Sequence, residues 1–224
     1  MVIYFRSEKF YKIMSDISGN QSLQSDTPAI AAPQSPIDKI LQFFTSKVAK
    51  RLVEVSWITP NGITLFSLAI GGFLAAFLII QHQYFWAVGA IIFSGLLDCL
   101  DGDLARARGV ASDTGNLLDS VLDRYVDFFM ISALILTSPD RNLIPGLIAL
   151  LGAAMVPYIR AKSESLGRSS IASIGSRAVR TILIILGLLT GQIFPLLILL
   201  GAIANIAALH RFIHALGWGE SQAQ

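Results

Sequence analysis

Long uncharged apolar segments recur along this chain of 224 residues. The run at 62–80, GITLFSLAIGGFLAAFLII, holds 19 residues without a charged side chain. A helix needs about 18 to 20 apolar residues to cross a hydrocarbon core of about 30 Å, whereas a soluble core helix does not. With 54% hydrophobic and 14% charged residues, the chain is also too apolar for an ordinary soluble domain. We therefore predict an all-α integral membrane protein.

Six segments are candidates for transmembrane helices, and the charges between them orient the chain. The predicted spans are 61–81, 84–104, 115–137, 143–164, 173–191 and 193–214. Basic residues concentrate before the first span, at 106–108, at 160–180 and after the last span, whereas the alternate loops contain only Arg141. By the positive-inside rule, this pattern predicts a multi-pass protein with both termini and the two basic loops in the cytoplasm.

The residues before the first span divide into two parts. Residues 17–34 are rich in Ser, Gln and Pro, and we interpret 1–34 as a flexible leader. Within 35–55, apolar residues recur at spacings of three and four with lysines opposite, which predicts an amphipathic helix in the membrane interface. A soluble helix packed on a partner is the alternative. The predicted six-helix domain is 56–216, and 217–224 form a tail.

Seven of the fifteen acidic residues lie within 96–127, between apolar runs. On helices, Asp98 and Asp101 share a face at the end of the second span, and Asp119 and Asp123 share one at the start of the third. An isolated aspartate at the centre of a spanning helix costs about 2.5–3.5 kcal/mol on insertion scales, and crowded like charges repel. Because Mg²⁺ favours carboxylate oxygens and binds together with substrate phosphates, the spacing predicts a metal and diphosphate site.

Small and basic residues accompany these aspartates. Gly102 and Ala105 lack bulk, which lets a base or a diphosphate approach the helix backbone closely. Arg106 is placed to pair with a phosphate through its forked guanidinium. The remaining acids of the stretch are interpreted as helix caps or headgroup contacts: Asp103, Asp113 and Asp127.

This stretch resembles the signature of the CDP-alcohol phosphotransferase family, D-x2-D-G-x2-A-R-x8-G-x3-D-x3-D. All eight fixed positions match in identity and spacing: Asp98, Asp101, Gly102, Ala105, Arg106, Gly115, Asp119 and Asp123. TPNGIT at 59–64 and Ser112 resemble further positions of the family. The resemblance implies a homodimer of six-helix subunits in the lipid bilayer, each preceded by an interfacial helix, with the active site open to the cytoplasm.

The resemblance also implies a role for each matching residue. Asp98, Asp101, Asp119 and Asp123 would hold Mg²⁺, with Mn²⁺ as an alternative, and Asp123 would also act as general base. An acceptor hydroxyl would lose its proton to Asp123 and attack the phosphorus of a CDP-linked lipid, releasing CMP. The residues implied to bind this donor are Asn61, Gly62, Ile63, Thr64, Gly102, Ala105, Arg106, Ser112 and Gly115.

A basic loop after the fourth span carries the candidates for binding a small polar alcohol: Arg160, Lys162, Arg177 and Arg180. Clustered cations suit an anionic acceptor, but positive loops also belong on the cytoplasmic side whatever they bind. YIRAKSESLG and SRAVRTILI resemble the inositol-phosphate-using branch, in which the positions of Arg160, Lys162 and Arg180 bind the acceptor phosphate. Phosphatidylinositol phosphate synthesis, or its archaeal ether-lipid counterpart, is the first expectation. Glycerol phosphate as acceptor and a CDP-inositol-dependent reaction remain open.

Acidic residues between apolar segments also occur in other classes of membrane protein. An ion or proton transporter would use intramembrane aspartates as a pathway and spread them through the membrane's depth. A non-enzymatic scaffold would leave the acidic cluster as an uncompensated cost. The clustering of the aspartates beside Gly102, Ala105 and Arg106 favours an enzyme over both. Nucleic acid is not expected as a partner, because the sequence has no concentrated basic face.

Overall fold

The computed structural model describes residues 45–55, 57–168 and 177–217, and these ranges contain helices and no β-strand. The all-α prediction is confirmed for them. Residues 45–52 are helical. Six longer helices follow: α1 (Pro60–Ile80), α2 (Tyr84–Ala107), α3 (Asp113–Leu136), α4 (Pro139–Ser165), α5 (Arg177–Thr190) and α6 (Ile193–Ala215).

Four of these helices are long and apolar enough to cross a membrane, namely α1, α2, α4 and α6. Helix α3 has 24 residues, but residues 113–127 carry four aspartates and Arg124. Helix α5 has 14 described residues, and positions 173–176 of the predicted fifth span lie outside the described residues. Four candidate spans are therefore established, and the six-span topology stays a prediction.

Two helices extend three or more residues beyond a predicted bound, and each has a local reason. Helix α2 continues to Ala107, beyond the predicted end at 104, because helical hydrogen bonding does not stop where charged residues replace apolar ones. Helix α4 begins at Pro139 instead of 143, since proline is well suited to the first turn of a helix.

Hydroxyl side chains cap the beginnings of α1 and α3. Thr59 Oγ1 accepts a hydrogen bond from the Gly62 amide at 3.1 Å, and Ser112 Oγ accepts one from the Gly115 amide at 3.2 Å. The two helix beginnings are close together, because a methyl group at Gly115 would lie 4.0 Å from Asn61 Oδ1.

Helices α1 and α2 pack closely around a pair of serines. Each hydroxyl of Ser67 and Ser94 donates to the other residue's carbonyl oxygen at 3.0 Å. A π-helical turn at Ala69–Leu74 follows, and a methyl group at Gly71 would lie only 2.2 Å from Ser94 Oγ. This close approach sets the alignment of the start of α1 beside the end of α2.

The residues before α1 are attached to the end of α2 by two charged side chains. Arg108 donates to the carbonyl oxygens of Leu52, Val55 and Ile58 at 2.7, 2.8 and 2.6 Å. Thr45 Oγ1 donates to Asp103, which makes this acid a tertiary contact instead of the predicted cap or headgroup contact. Residues 35–44 of the predicted amphipathic helix lie outside the described residues, so its interfacial position stays a prediction.

Candidate active site

Three of the four predicted metal ligands come together where the end of α2 meets the start of α3. Asp98, Asp119 and Asp123 each offer a carboxylate oxygen, and these oxygens lie within 4.8 Å of one another. Asp119 and Asp123 are one helical turn apart, and Asp98 reaches them from α2. Several carboxylate oxygens at this separation are a suitable ligand set for Mg²⁺ or Mn²⁺. We refer to these three residues as the carboxylate group.

Asp101, the fourth predicted ligand, has a different environment. It is buried, and its Oδ2 accepts a hydrogen bond of 2.6 Å from Thr64 Oγ1. The bond joins a predicted donor-binding residue on α1 to a predicted metal ligand on α2. A buried carboxylate needs such a partner, because its desolvation is costly when no donor compensates.

The predicted donor residues at the starts of α1 and α3 are close to one another. Asn61 and Gly62 are exposed, Ser112 caps α3, and Gly115 lies one turn into it. The amides of two helix N-termini favour a negatively charged ligand here. Ile63 differs from the others, because its side chain is buried with Ala49 and Leu104.

On α2, Arg106 folds back over Gly102. A methyl group at Gly102 would lie 3.3 Å from Arg106 Nη1, so the glycine leaves room for the guanidinium. Arg106 Nη2 donates to Asp103 Oδ1 at 2.6 Å, and 63% of the arginine side chain is exposed. An ion pair this exposed contributes little stability, so Arg106 can exchange Asp103 for a phosphate at low cost. Ala105 lies one turn after Asp101, on the side of α2 that the motif predicts.

The two arginines of α5 face the acids of α3. Arg177 Nη1 lies 2.8 Å from Asp98 Oδ2 and 2.7 Å from Asp123 Oδ1, so it bridges two members of the carboxylate group. Arg180 Nη2 lies 2.5 Å from Asp127 Oδ2. Both arginines were predicted to bind the acceptor, and the structure places them beside the predicted metal site.

The other two predicted acceptor residues lie elsewhere on α4. Arg160 pairs with Glu164 at 2.8 Å and lines a cavity of about 1080 Å³ between α3 and α4. Lys162 is exposed, and residues two apart on a helix do not share a face. Asp127, the partner of Arg180, lines the same cavity as Arg160.

Sequence reasoning missed the roles of Asp127 and Arg124. Asp127 was interpreted as a cap or headgroup contact, but it is 5% exposed and paired with Arg180. Arg124 Nη2 lies 3.7 Å from Asp123 Oδ2, and its Nη1 lies 3.8 Å from Asp127 Oδ2. The signal was present, because Asp119, Asp123 and Asp127 follow one another at intervals of four.

Comparison with known proteins identifies the family. Residues 57–215 match the family model for CDP-alcohol phosphatidyltransferases. The chain belongs to this family, and it is therefore a transferase that acts on a CDP-linked donor. The resemblance predicted from the aspartate motif is confirmed, and membership of a membrane-lipid synthase family agrees with the apolar helices.

Several relatives have curated functions. The chain is 34% identical to an archaetidylinositol phosphate synthase of Methanothermobacter thermautotrophicus over 77% of this chain and 86% of the relative. It is 28% identical to a phosphatidylinositol phosphate synthase of Corynebacterium glutamicum, over 70% of this chain and 74% of the relative. It is also 35% identical to a bifunctional IPC transferase and DIPP synthase of Rubrobacter xylanophilus, but the match spans only 37% of that longer protein.

Solved structures share the fold. The crystal structure of Mycobacterium tuberculosis phosphatidylinositol phosphate synthase with CDP-DAG bound superposes with a TM-score of 0.72. The identity is 25%, over 77% of this chain and 94% of that one. The apo form of the same enzyme gives a TM-score of 0.69 at 26% identity, over 76% of this chain and 94% of that one.

Proposed function

We propose that this enzyme transfers a phosphatidyl-type group from a CDP-linked lipid to a hydroxyl of inositol phosphate and releases CMP. One observation carries the proposal: three carboxylates of α2 and α3 come together, and Arg177 of α5 contacts two of them. A diphosphate donor and a phosphorylated acceptor both need positive surroundings. The relatives that synthesise inositol phosphate lipids support this choice of acceptor.

Donor binding is assigned to α1, α2 and α3. The exposed residues Asn61 and Gly62 lie at the N-terminus of α1, and the dipoles of the N-termini of α1 and α3 favour the negative diphosphate. Arg106 supplies an exposed cation on α2, and Gly102 leaves room for its guanidinium. The remaining proposed donor contacts are Ile63 through its backbone, Thr64, Ala105, Ser112 and Gly115.

A divalent cation held by the carboxylate group would neutralise the diphosphate and stabilise charge on departing CMP. We propose Mg²⁺, with Mn²⁺ as an alternative. Asp101 stays a proposed ligand through Oδ1, since its other oxygen accepts the hydrogen bond from Thr64.

Asp123 is proposed as the general base. Its carboxylate accepts the proton as the O–H bond of the acceptor breaks, a new P–O bond forms, and the P–O bond to CMP breaks. Arg177, 2.7 Å away, holds this carboxylate in place. Arg177 and Arg180 are the proposed primary contacts of the acceptor phosphate. Arg160 and Lys162 are proposed as outer contacts, because they lie on different faces of α4.

A second candidate reaction uses CDP-inositol as donor. The similarity to the bifunctional IPC transferase and DIPP synthase favours it, because that alignment covers 70% of this chain. Phosphatidylglycerol phosphate synthesis is a further alternative, since glycerol phosphate carries the same kind of anionic group. Both alternatives would use the same carboxylate group and the same departure of CMP.

A direct assay separates these reactions. Purified protein receives Mg²⁺, CDP-diacylglycerol or CDP-inositol, and one of four alcohols: inositol phosphate, glycerol phosphate, inositol or serine. We expect CMP release with CDP-diacylglycerol and inositol phosphate, and we expect a chelator to abolish it. Release only with glycerol phosphate or only from CDP-inositol would replace the proposed reaction by that alternative. Ion flux across vesicles without CMP release would support the transporter class instead.

We propose that the protein is a homodimer of six-span subunits. We also propose that the site opens to the cytoplasm. Arginines occur at the ends of α2, α4 and α6 that adjoin the site, whereas Arg141 lies at the opposite end. Short connections at 81–83, 137–138 and 191–192 make neighbouring helices antiparallel, as alternate spans must be. Labelling of cysteines introduced singly at Val110 and Arg141, with Cys99 replaced by serine, tests the topology in intact cells, since only the second should react from outside.

A further inference from the structure

The buried pair formed by Asp127 and Arg180 suggests a role for an acid outside the family motif. We infer that Asp127 is a positioning residue, whose carboxylate holds the guanidinium of Arg180 in the orientation that binds the acceptor phosphate. The inference rests on the proposed function, because that function makes Arg180 an acceptor contact. It adds a residue to which neither the motif nor the resemblance assigns a role.

The geometry of the pair makes its members dependent on each other. Arg180 Nη2 and Asp127 Oδ2 are 2.5 Å apart, and the two residues are 2% and 5% exposed. Charge-assisted hydrogen bonds of this length are strong and directional. Removing one partner of a buried ion pair is strongly destabilising, so the loss of the Asp127 charge weakens the contact that orients the guanidinium of Arg180.

A second pair, one turn away, gives the two helices a common register. On α3, Asp123 and Asp127 are four residues apart, and on α5, Arg177 and Arg180 are three apart. Arg177 pairs with Asp123 at 2.7 Å, and Arg180 pairs with Asp127. The first pair involves the carboxylate group and the second does not. Asp127 therefore orients α5 without contacting the reacting groups.

Further guanidiniums act on Asp127 from both α3 and α5. Arg124 Nη1 lies 3.8 Å from Asp127 Oδ2, and its Nη2 lies 3.7 Å from Asp123 Oδ2. Asp127 thus interacts with the guanidiniums of Arg124, Arg177 and Arg180, of which that of Arg180 is the nearest and the most buried. Loss of its charge would leave Arg124 and Arg180 to repel each other, which displaces Arg180 further.

Asp127→Asn tests the inference, because it keeps the shape of the side chain and removes its charge. A displacement of about 1 Å at a positioning contact can cost about a hundredfold. We expect the KM for inositol phosphate to rise by about tenfold to a hundredfold, with little change in kcat or in the KM for the donor. Asp140→Asn is the matched control, since Asp140 is an exposed acid in the first turn of α4. The control should behave as the wild type.

A double-mutant cycle separates positioning from a general structural role. Arg180→Ala should raise the same KM, and adding Asp127→Asn to it should have no further effect, since the residue to be positioned is gone. Asp127→Glu should recover part of the acceptor affinity. Multiplicative effects of the two substitutions would overturn the inference, as would a variant that loses donor binding and acceptor binding together.

Two further readouts make every result decisive. Calorimetric titration of inositol phosphate into each variant measures acceptor affinity without turnover, and thermal unfolding in detergent shows whether the variant folds. If Asp127→Asn does not fold, Asp127→Ser is titrated in its place, and wild-type affinity in that uncharged variant would exclude positioning. Wild-type turnover tests the proposed function separately. A wild-type enzyme that uses another phosphorylated acceptor would contradict that function while leaving Asp127 testable with that acceptor.

Discussion

The predicted metal ligands, the carboxylate side of the site, and the predicted acceptor residues, its arginine side, were both predicted from short stretches of sequence. Their arrangements in the structure differ. Three of four predicted aspartates come together across α2 and α3. The four predicted basic residues have different surroundings. Arg177 and Arg180 pair with acids of α3, Arg160 lines a cavity that Asp127 also lines, and Lys162 is exposed.

The difference follows from how each set is encoded. The aspartates occur three and four residues apart, on helices joined by the short connection 108–112. Such spacing places side chains on one face, and a short connection brings the helix ends together. Arg160 and Lys162 are two residues apart, and the basic loop that separates them from α5 does not determine which helix α5 packs against. Proximity in sequence was therefore a poor guide on the arginine side.

The largest effect expected on the carboxylate side is that of Asp123→Asn. Loss of a general base lowers kcat by about a hundredfold to ten-thousandfold, while the amide keeps the shape that donor binding requires. CMP release and donor titration measure the two properties. Asp140→Asn is the control. Normal turnover in Asp123→Asn would show that Asp123 is not the general base. It would also contradict the larger effect expected on the carboxylate side than on the arginine side.

Arg108→Ala tests whether the segment before α1 supports the donor side. The substitution removes hydrogen bonds to three carbonyl oxygens, and one hydrogen bond to a charged group contributes about 1.5–3 kcal/mol. We expect a lower unfolding temperature in detergent and weaker donor binding. Arg108→Lys should recover only part of both, since one ammonium cannot reproduce the forked contacts. Wild-type donor affinity in Arg108→Ala would show that this segment does not shape the site.

Thr64→Val tests the link between Asp101 and α1. The substitution removes the 2.6 Å hydrogen bond and leaves a buried carboxylate without that donor, at a cost of about 1–3 kcal/mol. If Asp101 is a metal ligand, Mg²⁺ affinity should fall by about tenfold, because outer hydrogen bonds orient ligands. Thr64→Ser keeps the hydroxyl and should retain the affinity. Unchanged Mg²⁺ dependence in Thr64→Val would assign Asp101 a structural role.

Arg160→Ala should have the smallest effect on activity. It tests whether the basic residues on the arginine side contribute unequally to acceptor binding. The side chain is 60% exposed and its ion pair with Glu164 lies near the surface, where such pairs contribute about 0–1 kcal/mol. The acceptor KM should change severalfold less than in Arg180→Ala, measured under the same conditions. Equal increases would show that both arginines bind the acceptor directly.

Much of the fold was predictable from the apolar runs. Particular residues show which features of the structure were not predictable from them. Thr59 and Ser112 precede helical segments as capping residues commonly do, so the starts of α1 and α3 are readable from sequence. The contacts of Thr45 with Asp103 and of Arg108 with Leu52 join residues more than fifty positions apart. The spacing of residues along one helix does not predict contacts between such distant positions. Asp103 was therefore interpreted as a cap or headgroup contact.

The sequence by itself determined the helical class, the family and the faces of α2 and α3 that carry the aspartates, because these depend on local spacing and composition. Only the tertiary structure decided that Asp101 turns to Thr64, that Arg177 joins Asp98 to Asp123, and that Asp127 pairs with Arg180. The physical reason is that one helix presents the same residues wherever it packs, whereas the partner of a buried charge depends on which helix lies opposite.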